Sequence, residues 1–174
     1  CSPTYSAQAA EPPRSVGGLS LGGAIDEMPY EAHNYFTREV IITDLPGFHK
    51  GFITYGTCRY PDRILRIKLK YRDRSQKFFK LLLERFKQRF GDSPQFDGDQ
   101  YGNVRAWKWR FTDQEGNRVT LELQHNLKDR TETIGNMVKL SMPGAIAAER
   151  DCFNETHTEK DESGSNYSEQ DWLQ

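Results

Sequence analysis

Ile64-Leu-Arg-Ile-Lys-Leu-Lys-Tyr-Arg72 alternates apolar and basic residues, whereas Ser75-Gln-Lys-Phe-Phe-Lys-Leu-Leu-Leu-Glu-Arg-Phe-Lys-Gln-Arg-Phe90 does not. The first stretch repeats every two residues. That puts Leu65, Ile67, Leu69 and Tyr71 on one face of a strand and Arg66, Lys68, Lys70 and Arg72 on the other. The second has the helical period of about 3.6. Its apolar face is broad: Phe78, Phe79, Leu81, Leu82, Leu83, Phe86 and Phe90. Ser75 is a helix N-cap residue, Gly91 a stop, and Pro94 confirms the stop.

Working outward, the N-terminal side carries more strands. Val40, Ile41 and Ile42, within Arg38 to Asp44, form a β-branched run. Leu45-Pro46-Gly47 has the chemistry of a type II turn, and Gly51 to Cys58 returns as the partner strand. Ile25 to Phe36 is ambiguous between a helical turn and loop. On the C-terminal side, Asp92 to Asn103 reads as a polar loop. Three alternating stretches follow: Trp107, Trp109 and Phe111; Val119, Leu121, Leu123 and His125; and Val138, Leu140 and Met142. Gly144 to Phe153 is expected to be a short helix. The order is three strands, helix, three strands, short helix. It predicts an α+β fold, an antiparallel meandering sheet of about six strands with the main helix packed on one face. The two halves are loosely similar in element order, without a residue-level repeat.

The 174 residues carry a formal net charge of −1 and are 36% hydrophobic. That length suits one domain with its own core, and the balanced charge offers no global field for nucleic acid or membrane. Residues 1–15 read as a leader remnant or tether, 16–153 as the domain, and 154–174 as an acidic disordered tail. Two export readings stay open. Ala7-Gln8-Ala9 matches a signal-peptide cleavage site, and Cys1 matches the lipidated first residue of a processed lipoprotein. No segment approaches the roughly 18–20 apolar residues of a membrane-spanning helix, so membrane contact is expected only through an N-terminal lipid. In an oxidising compartment, Cys58 and Cys152 are expected to form a disulfide.

No catalytic or metal motif emerges, and no cofactor is implied. Gly18-Leu-Ser-Leu-Gly22 matches G-x-S-x-G, but it lacks the preceding strand and following helix of a nucleophile elbow. Asp97 to Asn103 resembles the start of a calcium loop, yet Tyr101 and Lys108 stand where ligands are needed. The best functional hint is the basic sheet face. Alternation gathers Arg66, Lys68, Lys70, Lys108, Arg110 and Lys139 there, with Glu122 as the only acid. Such a surface suits an anionic ligand or an acidic envelope protein. Trp107, Trp109 and Phe111 fall on the opposite face, which argues against single-stranded nucleic acid.

Gly17-Gly-Leu-Ser-Leu-Gly22, after a processed or lipidated N-terminus, resembles small exported bacterial proteins of unknown function. In many of these a short G-x-x-L-G segment opens an α+β domain. The resemblance implies a periplasmic or lipid-anchored protein and assigns no catalytic residue. The leading expectation is therefore a non-enzymatic envelope binding domain. One alternative is a small hydrolase or metal-dependent enzyme assembled from His125, Cys58 and Asp97. A second is an inhibitor-like domain presenting the Pro46 to Lys50 loop, with Phe48 exposed at its tip.

Overall fold

The computed structural model describes residues 11–25, 31–128 and 134–164. Cys1, the cleavage-site alanines and Trp172-Leu173 lie outside them. The described chain is α+β. A two-stranded hairpin, β1 (Ser15–Val16) and β2 (Leu19–Ser20), precedes a large antiparallel sheet. Its strands are β3 (Glu31–Asn34), β4 (Thr37–Ile42), β5 (Phe48–Tyr55), β6 (Ile64–Tyr71), β7 (Gln95–Gly98), β8 (Val104–Thr112), β9 (Arg118–Asn126) and β10 (Gly135–Ser141). Helix α1 (Gln76–Phe90) follows β6, and α2 (Pro143–Gly164) follows β10.

The spatial order is β3-β4-β5-β6-β10-β9-β8-β7. Each half is a four-stranded meander that runs from an edge to the centre and then passes into a helix. The halves meet where β6 pairs with β10, and four fully buried apolar residues lie there: Ile67, Leu69, Val138 and Leu140. Phe79 and Leu82 of α1 join these residues, with Val40, Ile53, Trp109, Leu121 and Leu123, in one core cluster. The β5–β6 pairing is irregular at two points, the first between Phe48 and Lys50. The register shifts again at Thr54–Tyr55; Ile64 enters the core cluster, and Leu65, although buried, does not.

Both ends of α1 are tied to the second meander. At its start, Ser75 Oγ accepts from the Phe78 N–H at 3.1 Å. Asn136 Nδ2 donates to the carbonyls of Asp73 and Ser75 at 2.8 and 3.0 Å. At its end, Gly91 adopts φ 116°, and its carbonyl accepts from Trp109 Nε1 at 2.8 Å. Lys87 and Arg89 in the last turn complement the negative end of the helix dipole.

Four expectations are corrected. The sheet gains two edge strands, β3 within the ambiguous stretch and β7 within the expected polar loop. Every residue of β7 is exposed, so its strand character comes from backbone pairing with β8 and from Phe96 packing on Trp107. Helix α2 does not stop at Phe153 but continues to Gly164, through the beginning of the expected tail. The β1–β2 hairpin begins at Ser15, and Arg14 pairs with Asp113 at 2.9 Å, so the described fold includes residues just before residue 16. As expected from its surroundings, Ser20 of the G-x-S-x-G match is exposed in this hairpin and not on a strand-to-helix turn.

Two local readings hold. The Phe48 N–H donates to the Leu45 carbonyl at 3.1 Å with Gly47 at φ 81°, the geometry of a type II turn. Cys58 and Cys152 form a disulfide across a sequence separation of 94. In the chain-entropy description a loop of this length contributes about 4–5 kcal/mol.

Candidate functional site: the lysine-lined sheet face

The face away from the core is organised in cross-strand rows. One row runs Phe52, Lys68, Lys139, Glu122, Lys108 and Gln95. A second runs Lys50, Lys70, Met137, Gln124, Ala106 and Asp97. A third runs Thr54, Arg66, Ser141, Thr120 and Arg110. The six cations expected to share this face therefore do so. Neighbours within a row lie about 5 Å apart, close enough for charges to act on one another.

Their electrostatic states differ. Glu122 is only 5% exposed and sits between two lysines, with Lys139 Nζ at 3.0 Å and Lys108 Nζ at 3.5 Å. Lys108 also pairs with Asp97. The hydrogen bond to Asp97, reinforced by Glu122, raises the Lys108 ammonium above its usual range. The same bond holds the Asp97 carboxyl below its usual range. Glu122 is thus the shared counter-ion of two strands, and Asp97 is a second acid on a face expected to have one. Arg110 donates to Gln95, while Arg66 Nε is buried without a hydrogen-bond partner among the described residues.

Lys68 and Lys70 have no carboxylate partner among the described residues. With Lys50, they gather over the Phe52 ring, their ammonium nitrogens 5.2 Å (Lys50), 5.8 Å (Lys68) and 5.8 Å (Lys70) from its centroid. The negative face of an aromatic ring attracts cations, which explains the convergence without neutralising it. Burial, then Lys68, Lys50 and Arg74, push the Lys70 ammonium below its usual range. The expectation of a face without aromatics is corrected by Phe52. Its place, and that of Lys50, was available from the alternation around Gly51 and Ile53 once β5 was paired to β6.

Beside this cluster lies a groove of about 430 Å³, lined by Lys68, Asp97, Asp99, Glu122, Gln124 and Lys139 among others. Gln124 is 5% exposed, and its Nε2 has no hydrogen-bond partner among the described residues.

The residues of the alternative readings are not brought together. Cys58 is consumed by the disulfide. His125 is stacked on Phe79 on the core face, with Nδ1 2.6 Å from Asn136 Oδ1. Asp97 stands on the opposite face, in the row of Gln124 and Ala106. No group of three or more metal-ligating side chains occurs among the described residues. Phe48 is half-buried and packs on Tyr71, with ring centroids 4.8 Å apart, so the Pro46 to Lys50 loop presents no exposed aromatic tip.

Sequence reasoning missed Glu149. This residue is fully buried, and its carboxylate accepts the N–H groups of Thr57, Cys58 and Tyr60. It anchors the loop that carries Cys58 to the helix that carries Cys152. No family model, curated protein or solved structure matches this chain.

Proposed function

We propose that this domain is a non-enzymatic binding module of the cell envelope that contacts an anionic partner through its lysine-lined sheet face. The observation carrying this reading is the gathering of Lys50, Lys68 and Lys70 over Phe52 without a carboxylate partner among the described residues. Like charges held this close repel, and an anionic partner relieves the repulsion on binding. Lys108 and Lys139 with Asp97 and Glu122 form an internally balanced network beside the cluster. One ring is not a platform for successive bases, so nucleic acid is not the partner we propose. The Cys58–Cys152 disulfide supports a compartment outside the cytoplasm, where such bonds persist.

The test is retention on a phosphate-bearing cation-exchange matrix, comparing wild type with a Lys68→Glu, Lys70→Glu, Lys108→Glu variant. The wild type should elute at clearly higher salt than the variant, with both equally folded by circular dichroism. Equal elution would overturn the assignment of this face. Intact mass from native envelope fractions, with and without reductant, tests the location. Recovery only from the cytoplasm with reduced cysteines would overturn it.

A further inference from the structure

Lys68 belongs to two neighbouring features. It is one of three ammonium groups over Phe52, and it also lines the groove that contains Gln124. The two are chemically different. The cluster is positive and uncompensated. In the groove, Lys108 and Lys139 are paired with Asp97 and Glu122, and Asp99 accepts the Val104 N–H, so apart from Lys68 the lining is polar but balanced. Carboxylates in a balanced groove accept hydrogen bonds from hydroxyl groups without demanding a cation. Gln124 adds a buried amide donor with no partner among the described residues, a costly arrangement that a ligand acceptor would relieve. The lysine stems at the rim are flexible enough to admit one.

We propose that these features form one composite site for a phosphorylated polyol. The phosphate sits over Phe52 among Lys50, Lys68 and Lys70, and the hydroxyl-bearing body lies in the groove against Gln124 and the carboxylates. This inference rests on the anionic-partner reading above and names its ligand class. The phosphate can be carried by a soluble sugar phosphate or by a glycerol-phosphate lipid headgroup; the chemistry recognised is the same. Burial, then Lys68, Lys50 and Arg74, lower the Lys70 ammonium, and a phosphate placed among these groups should raise it.

The experiment is a calorimetric and NMR titration of the full chain with inorganic phosphate, glucose 6-phosphate, glucose and phosphatidylglycerol vesicles. Wild type should bind glucose 6-phosphate or the vesicle headgroup roughly tenfold more tightly than inorganic phosphate, the gain expected from one or two added hydrogen bonds. Gln124→Met should erase that preference while leaving inorganic phosphate binding unchanged. Lys50→Met with Lys70→Met should weaken every phosphate. Preference for glucose 6-phosphate would identify a soluble ligand, and preference for vesicles a lipid; either supports the site. Equal affinity for inorganic phosphate and both phosphorylated probes would overturn the groove as a subsite. If no phosphate binds while the wild type is still retained on the matrix, the inference fails but the anionic-face reading stands. Loss of both would overturn both.

Discussion

The Cys58 N–H donates to the Glu149 carboxylate at 2.8 Å, and the Cys58 sulfur is bonded to Cys152, one helical turn further along α2. One residue of the loop after β5 is thereby fastened twice to one helix, by a charge-assisted hydrogen bond and by a covalent link. The carboxylate also takes the N–H groups of Thr57 and Tyr60, so the loop needs no secondary structure to satisfy its buried donors.

Removing that carboxylate should be severe. Glu149→Ala leaves three N–H groups without their acceptor and is expected to cost about 3–4 kcal/mol. Urea unfolding under oxidising conditions measures it. Glu149→Gln, which keeps the shape and one acceptor oxygen, should cost less. A loss below that of an average surface substitution would show that the carboxylate is not the anchor.

The disulfide should act separately. Cys58→Ala with Cys152→Ala should lower stability by about 4 kcal/mol through the unfolded chain, with the m-value raised as the unfolded state expands. Guanidinium unfolding of the oxidised wild type and the double variant compares them. Unchanged midpoints would contradict a stabilising cross-link.

Asn136 should govern the start of α1. It is buried, bridges the Asp73 and Ser75 carbonyls, and meets His125 Nδ1. Asn136→Leu strands these acceptors and is expected to cost about 2–3 kcal/mol. Hydrogen exchange should quicken at Gln76 to Phe79 before it does elsewhere. Uniform loss of protection across the helix would argue against a local latch.

Glu122→Gln removes the shared counter-ion of Lys108 and Lys139. Stability should fall, because Lys139 then loses its carboxylate and Lys108 keeps only Asp97. Retention on the phosphate matrix should rise over the same substitution. A matching fall in both would indicate that Glu122 organises the face and does not restrain its charge.

Lys70 gives a pH dependence of defined sign. Its folded-state pKa is lowered, first by burial and then by Lys68, Lys50 and Arg74. Below the folded pKa, the charged form is held at a penalty in the native state. Between that value and the unfolded lysine value of about 10.4, the unfolded chain binds more protons, so stability rises with pH. Lys70→Met should therefore melt higher than wild type at neutral pH. The advantage should shrink as pH approaches that upper value and as salt is added. An advantage independent of both would point to packing instead of charge.

What the sequence determined was each element's own chemistry. The β6 alternation and the Ser75-to-Gly91 helix are local, because side-chain period and capping depend only on nearby residues. The type II turn and the pairing of the only two candidate cysteines outside the N-terminus were equally legible. Edge strand β7 was not, because four exposed residues become a strand only when β8 supplies its backbone partners. Nor was the length of α2, whose C-terminal part has a polar composition that also suits a tail. The candidate site divides in the same way. Alternation assigned Lys68, Lys108 and Lys139 to one face, since period two sorts residues between faces. Only the strand order set Glu122 between Lys139 and Lys108, and Phe52 beneath Lys50, Lys68 and Lys70. Periodicity says which way a side chain points but not which strand lies beside it, and charge compensation depends on that neighbour.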